Sequence, residues 1–230
     1  MPTGIMEMIN TASFVTINCR KVVASSLSRS QQYATENQNA QVYTFRIGTH
    51  SGMKYSENRD LIADLYDRQG TTNEELIALT GNAGSQYITA YLGDLTQFQR
   101  DSLLIKDAGT GNTNIIVNTQ NVTGSPIGYL YKAGDFMSPR GPDDNYRYTY
   151  QVTADVPWSV GNVTVPVNRP VIAQSGVTLT GGSAPVYSGG IKSGNDARWT
   201  VKITKMPQYS ITPHDLIEWD SDLELIEVIL

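Results

Sequence analysis

The sequence is poor in the residues on which most enzymatic chemistry depends. Its 230 residues include one cysteine, Cys19, and two histidines, His50 and His214. A single cysteine excludes an internal disulfide and a CxxC metal site. The chain also has no GxSxG, P-loop or HExxH motif, and no GxGxxG motif after a strand. We therefore expect no enzymatic activity and no cofactor, and we interpret Cys19 as a small, partly buried side chain and both histidines as loop residues.

Charge is also scarce. Charged residues make up 17% of the chain, below the ~25% usual for soluble domains. The net charge of −5 and the pI of about 5.0 argue against a large phosphate-binding surface, so we expect no nucleic-acid specificity. No stretch approaches the ~20 apolar residues of a membrane span. The first ten residues include one acidic residue and lack a basic start, so we expect neither membrane insertion nor a secretory signal.

What the sequence does contain is a series of β-strand signals. Between Tyr129 and Val171, three segments rich in Tyr, Val and Thr are separated by Gly, Pro, Asp and Asn. This pattern is typical of half-buried antiparallel strands and their turns. Other predicted strands are Ser13–Asn18, Gln41–Gly48, Gln86–Gly93, Asn114–Asn118 and Ala197–Lys205. The predicted fold is mainly β with one or two helices (α+β), built on an antiparallel sandwich or barrel-like β core.

One segment has the apolar spacing of an amphipathic helix. Four residues would share one helical face: Leu61, Ile62, Leu65 and Tyr66. We predict that Ser56 caps this helix and Gly70 ends it, and that Thr72–Leu79 forms a second, short helix. The stretch 94–106 fits a helix or a strand. We expect an N-terminal strand–helix unit over residues 1–82 and a β-rich unit over 83–230, or one continuous domain.

Two groups of carboxylates are the best candidates for chemistry. Asp143 and Asp144 are adjacent in a predicted turn, and Asp220, Asp222 and Glu224 follow Trp219. The last three share a parity, so they would project from one face of an extended strand. We interpret them as a solvated strand face. The alternatives are a cation site and the paired carboxylates of a glycosidase beside an aromatic sugar platform.

Aromatic residues allow two interpretations. Tyr146, Tyr148 and Tyr150 alternate, so their side chains would lie on one side of a strand. Aromatic residues on strands usually form cross-strand pairs, core or subunit contacts. Stacking on a carbohydrate is the alternative.

The end of the sequence and a polar segment near its start are the candidate interfaces. Residues 217–230 alternate apolar with acidic side chains, which predicts a strand in the chain's own sheet or in a neighbour's. The polar segment Ala24–Asn39 could reach a neighbour by strand addition. The candidate interface residues are Trp219, Leu223, Leu225, Ile226, Val228 and Leu230 at the end, with Arg29, Gln31 and Tyr33 in the polar segment.

Short motifs along most of the chain resemble those of a viral protein family. They are Ser28-Arg-Ser-Gln, Val42-Tyr-Thr-Phe-Arg-Ile, Lys132-Ala-Gly-Asp-Phe-Met, Tyr148-Thr-Tyr-Gln-Val-Thr-Ala-Asp-Val, Val163-Thr-Val-Pro-Val-Asn-Arg-Pro-Val and Trp219-Asp-Ser-Asp-Leu-Glu-Leu-Ile-Glu-Val. Their order is similar to that in virion structural proteins of tailed bacteriophages. The resemblance is strongest to small tail and baseplate proteins of myoviruses, including those that infect cyanobacteria.

The resemblance implies a non-enzymatic virion structural protein of the phage tail, in the baseplate or close to the tail tube. Such a protein would be made in the host cytoplasm and act by assembly, with other tail and baseplate proteins and with itself in a homo-oligomeric ring. The alternative is a carbohydrate- or receptor-binding β-domain. If the C-terminal segment pairs with a neighbour, removing Glu224–Leu230 would leave a folded protein that fails to assemble.

Overall fold

The computed structural model describes residues 4–27, 33–49, 53–68, 74–80, 89–108, 111–124, 128–140, 148–172 and 190–229. Within these ranges the helices are α1 (Gly4–Asn10), α2 (Tyr55–Arg68) and α3 (Gln97–Asp101), with a 3-10 turn at Gly194–Asp196. The strands are β1 (Val15–Leu27), β2 (Tyr33–Ile47), β3 (Met53–Lys54), β4 (Glu75–Ala78), β5 (Leu104–Asp107), β6 (Asn114–Asn118), β7 (Tyr129–Tyr131), β8 (Phe136–Pro139), β9 (Tyr150–Gln151), β10 (Val156–Pro157), β11 (Asn162–Pro166), β12 (Ile191–Ser193), β13 (Arg198–Lys205), β14 (Tyr209–Thr212), β15 (Leu216–Trp219) and β16 (Leu223–Glu227). None of the helices described is long and apolar enough to cross a membrane.

The largest sheet has five antiparallel strands in the order β1-β2-β16-β13-β4. Its central strand, β16, pairs with β2 on one side and with β13 on the other. Because side chains alternate along a strand, Leu223 and Leu225 face one side of the sheet and Glu224 and Ile226 the other. The inner face is covered by α1 and α2, which pack against each other.

The core beneath this sheet is built around aromatic rings. The Trp199 ring lies edge-on to Phe45 and Phe136, with centroids 5.4 and 5.5 Å apart. Tyr43 completes the group, 6.2 Å from Trp199. Edge-to-face pairs of this kind contribute about 0.5–1.5 kcal/mol each beyond the burial of their area. This aromatic group fixes how β2, β8 and β13 pack together.

The middle of the chain forms a second core with smaller sheets. Three antiparallel groups surround it, in the orders β11-β6-β5, β12-β8-β9 and β10-β7. Alternate residues of β6 and β11 point inward: Ile115, Val117, Val163 and Val165 are all buried. This is the period-two pattern of a half-buried strand pair, with one face packed and one solvated.

The two cores draw on different stretches of the chain. The first contains residues from Ile5 to Leu79 and from Ala197 to Leu225, joined by Phe136. The second contains residues from Leu95 to Ile191. Strands β13 and β16, from late in the sequence, therefore pair with β1, β2 and β4, from its start, in one sheet. The residues of the second core lie between these two groups of strands in the sequence. The boundary between residues 82 and 83 stays a prediction.

The predicted fold class is confirmed. The structure is mainly β with antiparallel sheets and helices, and none of the described sheets closes into a barrel. Helix α2 and strands β6 and β13 lie where the sequence predicts them. Strands β1 and β2 overlap the strands predicted over Ser13–Asn18 and Gln41–Gly48 but extend well beyond them, into the polar segment Ala24–Asn39. The stretch 94–106, which fitted a helix or a strand, contains both α3 and β5.

Two local predictions are wrong within the described residues. The segment predicted as a helix over Thr72–Leu79 contains strand β4, because β13 supplies backbone partners along it, as in the pair Trp199↔Ile77. Of the strand predicted over Gln86–Gly93, the described residues form no strand: Thr89 is helical, and residues 90–93 form a loop. A side chain holds this loop, since the Leu92 N–H donates to Asp135 Oδ1 at 2.6 Å.

The N-terminal cap of α2 comes from a distant turn and not from Ser56 itself. The helix begins at Tyr55, and the Asp215 carboxylate accepts hydrogen bonds from the Ser56 N–H at 3.1 Å and from the Ser56 hydroxyl. These bonds lower the pKa of Asp215. Asp215 and His214 lie in the turn between β14 and β15 with φ of 65° and 78°. His214 is thus a turn residue, as predicted.

Removing Glu224–Leu230 is expected to unfold the protein, because most of the central strand is lost. The deletion takes away Leu225, which is 1% exposed, and separates β2 from β13. A fully buried leucine alone contributes about 1.5–3 kcal/mol. Circular dichroism would measure the loss. Removal of residues 229–230 alone is the control, and a full deletion that melts with the wild-type transition would contradict the central position of β16.

Candidate functional site

The structure separates the C-terminal interface candidates into two faces. Leu223 and Leu225 are 0% and 1% exposed, so their side chains belong to the chain's own core. In the single chain both side chains pack in the core that also contains residues of α1 and α2, and a partner contact for them stays a prediction. Ile226 and Val228 are half-buried, and Ile226 shares the outer face of the sheet with Glu224. Trp219 ends β15 and is half-buried.

Three of the remaining candidates, Arg29, Gln31 and Leu230, lie outside the described residues. Tyr33 begins β2, where its backbone pairs with Leu27 at the end of β1. The polar segment Ala24–Asn39 therefore contains parts of two paired strands. Its interface role stays a prediction.

These two strands extend well past the sheet to which they belong. β1 has 13 residues and β2 has 15. The pairing of β16 with β2 ends at Thr44. We call the paired segments 22–27 and 33–38 the hairpin arm; at ~3.4 Å per residue it is about 20 Å long. Among the described strands, the arm pairs only with itself.

A bulge marks the point where the arm leaves the sheet. Lys21 pairs with Gln41, and the next residue, Val22, pairs with Gln38. Two residues of β2 therefore have no opposite partner on β1. Bulges bend a strand and increase its twist, which re-aims the segment beyond them. Both outer edges of the arm present backbone N–H and C=O groups with no described strand beside them.

A buried ion pair lies at the base of the arm. Arg169 and Glu227 form a two-pronged contact, with Nη1–Oε2 at 2.5 Å and Nη2–Oε1 at 2.6 Å. Their side chains are 1% and 0% exposed. The guanidinium also lies over the rings of Tyr43 and Tyr150, at 4.8 and 5.2 Å from their centroids. A bidentate, ring-covered arginine of this kind is held in one orientation.

The ion pair also completes the backbone hydrogen bonding of β2. Arg169 Nη1 donates to the Gln41 carbonyl at 2.7 Å, and Nη2 donates to the Thr149 carbonyl at 2.7 Å. The Tyr43 N–H donates to Glu227 Oε2 at 3.2 Å. The Arg169 and Glu227 side chains thus provide hydrogen-bond partners for backbone groups of β2 beyond the point where its pairing with β16 ends. The same contacts join the first sheet to Thr149, beside β9 of the second core.

The charges and pKa values at this site follow from burial and pairing. Burial lowers the pKa of Arg169, but the hydrogen bonds and charge of Glu227 outweigh it, so the pKa is raised. Burial raises the pKa of Glu227 against the opposing effect of Arg169. Burial also raises the pKa of the Tyr43 phenol. All of these pKa shifts come from burial and from pairing within the protein interior. They do not indicate a general base.

Cys19 lies beside this ion pair without being activated by it. Its thiol is half-buried, as the sequence predicts, with Sγ 3.5 Å from Asn168 Nδ2 and 3.6 Å from Gln41 Oε1. Burial raises the pKa of the thiol, although Arg169 acts to lower it. A raised pKa leaves less thiolate, the reactive form of cysteine. Cys19 is therefore part of the packing at the base of the arm.

The C-terminal carboxylates lie on the outer surface, with cationic partners for two of them. Asp222 binds Arg46 at 2.5 Å, and Glu224 lies 3.6 Å from Lys205. Asp220 lines an open recess of about 470 Å³ together with Lys205. The described residues contain no group of three or more His, Cys, Asp or Glu that could hold a metal ion. Asp143, Asp144 and His50 lie outside the described ranges.

The aromatic residues divide between the core and the surface. Tyr148 and Tyr150 are each 2% exposed and belong to the second core, which confirms packing for these two; Tyr146 is outside the described residues. Four other rings form what we call the ring cluster, between α2 and the β14–β15 hairpin: Tyr55, Tyr66, Tyr209 and Trp219. The Tyr209 ring contacts each of the other three, at 5.5–6.2 Å.

Sequence reasoning missed the ion pair, although it left one signal. Leu223, Leu225 and Glu227 share a parity, so a strand that buries both leucines must also bury the Glu227 carboxylate. A buried carboxylate requires a cation, but the sequence does not indicate that Arg169, 58 residues away, supplies it. No protein-family model matches the chain, and comparison with curated proteins finds no match.

Replacing Arg169 is expected to destabilise the protein far more than replacing an exposed arginine of the same sheet. Arg169→Met leaves the Glu227 charge buried and unpaired, at a cost of about 3–5 kcal/mol. Adding Glu227→Leu should recover part of this loss. The matched control is Arg46→Met, whose ion pair is exposed and should cost less than about 1 kcal/mol. Urea unfolding of the wild type and the three variants gives these free-energy losses, and equal losses for Arg169→Met and Arg46→Met would contradict the role of the buried ion pair.

Proposed function

We propose that this chain is a non-enzymatic structural protein of a phage tail, in the baseplate or close to the tail tube, which acts by protein–protein assembly. The observation that carries the proposal is the hairpin arm, which extends about 20 Å past its sheet with no described strand on either edge. The sequence resemblance to small tail and baseplate proteins supports the same class.

An arm of this kind is suited to assembly for energetic reasons. A two-stranded hairpin is at best marginally stable in water on its own. Its outer N–H and C=O groups gain protein partners only when another strand is added, which is a recurrent mode of protein recognition. The buried Arg169–Glu227 ion pair fixes the position at which the arm leaves the sheet. A neighbouring protein can therefore bind the arm in a defined position.

The polar groups of the described interior support a structural role rather than catalysis. Asp135, which is fully buried, accepts the N–H groups of Leu92 at 2.6 Å and Lys132 at 2.8 Å. The Ser138 and Thr149 hydroxyls contact each other at 2.6 Å and both bond to the Arg198 carbonyl. These groups connect loops and strands to one another. A virion location and tail-protein partners follow from the proposal.

Immunogold electron microscopy tests the location. Antibodies to the recombinant chain, applied to virions from the source of this gene, are expected to label the tail end. Label on the head would contradict the tail assignment while keeping a structural role. If disrupted particles expose the epitope and still carry no label, the virion proposal is wrong.

Shortening the arm is expected to abolish assembly without unfolding the chain. Joining Val22 to Gln38, which are paired, through Asn-Gly creates a two-residue turn that suits a hairpin. The first sheet and its core should keep their stability, because none of their described partners is removed. Thermal unfolding checks the fold, and incorporation of the variant into virions checks assembly. Wild-type incorporation of a folded, shortened variant would contradict a role for the arm.

The ring cluster favours a second candidate, a carbohydrate-binding β-domain. Tyr66 is 44% exposed, and the cluster lies on the surface. Aromatic faces of this kind can stack on sugars, as they do in ligand pockets. Titrating glycans while recording tryptophan fluorescence tests this candidate: saturable binding that Tyr66→Ala removes would support it, and an unchanged signal across glycan classes would exclude it.

A further inference from the structure

Within the part of the chain that the structure describes, neither outer edge of the hairpin arm has a partner strand, and the two edges lie on opposite sides of the same element. The outer edge of β1 is the edge of the five-stranded sheet. On the outer edge of β2, Arg169 bonds the Gln41 carbonyl, and no described strand pairs with the edge beyond that point. We propose that the arm binds a second copy of this chain, with β1 of one copy beside β2 of the next. This inference rests on the proposed assembly function.

A second copy satisfies both edges with a single kind of contact. A different protein that adds one strand to β1 would leave the outer groups of β2 unpaired, and the reverse also holds. Two copies related by rotation place the β1 edge of one against the β2 edge of the other, and the same contact can then repeat. Such a heterologous contact closes into a ring or continues as a helix.

The charges of the two strands favour this pairing over a symmetric one. β1 contains Arg20 and Lys21 and no acidic residue, whereas residues 33–40 of β2 contain Glu36 and no basic residue. Antiparallel pairing of β1 with a second β1 about its middle residue would place Lys21 opposite Lys21. Like charges directly opposite are destabilising in a sheet. Pairing β1 with β2 avoids this like-charge contact, because residues 33–40 contain no basic residue.

The sequence of the arm lacks the usual protection of a free edge. Monomeric proteins block exposed edges with charged residues, proline or very short strands. The β1 half of the arm is Val22-Val-Ala-Ser-Ser-Leu, without charge and without proline. It also continues a strand of 13 residues. An unprotected edge of this length is expected in a protein whose edge is occupied in its working state.

Cysteine cross-linking tests the proposal directly. In a Cys19→Ala background, one variant carries Val23→Cys and a second, with a larger tag, carries Asn37→Cys. These positions pair within one arm, so they lie at the same level of the hairpin. After mixing and mild oxidation, the expected main product is a disulfide-linked dimer of the two different variants. A third variant carries Thr35→Cys instead of Asn37→Cys. It detects the same contact between copies if the pairing of β1 with β2 is shifted by two residues.

The controls are built on the same positions. Val23→Cys alone should give no dimer, and Asn37→Cys alone should give none either. Both cysteines in one chain should form an internal disulfide, which reports the pairing of the arm itself. Circular dichroism of each variant establishes that it is folded.

The outcomes separate this inference from the function on which it rests. A Val23→Cys homodimer would overturn the β1-to-β2 contact in favour of a symmetric one. Absence of any cross-link, from a chain whose internal disulfide forms, would overturn self-association through the arm. If the shortened arm still prevents incorporation into virions, the partner is another protein and the proposed function stands. If the shortened variant is incorporated normally, both the self-association and the role of the arm in assembly are wrong.

Discussion

The buried contact between Arg169 and Glu227 is the interaction on which the rest of the structure depends. Two charges removed from water would destabilise the fold if either lost its partner. Here the pair satisfies backbone groups of Gln41 and Tyr43 just where the pairing of β2 with β16 ends. Through the Thr149 carbonyl it also reaches the second core. One contact therefore joins two cores and supports the start of the hairpin arm.

This arrangement divides the described residues into a well-packed part and a part whose outer edges have no described partner strand. The well-packed part is the five-stranded sheet, closed over Trp199 and its aromatic neighbours and held by β16 at its centre. The hairpin arm has only its own two strands to stabilise it among the described residues. Local stability should fall along the arm, because it has backbone bonds but no third strand. In an assembly protein, the neighbour supplies that strand.

The sequence predicts those features that have a local period. Helix α2 and strand β13 follow from the spacing of their apolar residues, and the fold class follows from the many strand signals. Strand β4 does not, because β13 supplies its partners and overrides the helical pattern of Thr72–Leu79. Alternation also leaves open whether the chain's own core or a neighbour covers Leu223 and Leu225; in the single chain its own core buries them. The Arg169–Glu227 pair joins distant residues, and no local pattern identifies it.

Hydrogen–deuterium exchange of the purified chain tests the account most directly. The account predicts slow exchange for amides of residues 41–47 and 223–227, and fast exchange for outward-facing amides of the hairpin arm in the isolated monomer. Those arm amides should become protected when the chain is assembled. Arm amides as protected in the monomer as those of β16 would contradict the account, because the edges would then already be occupied within the chain.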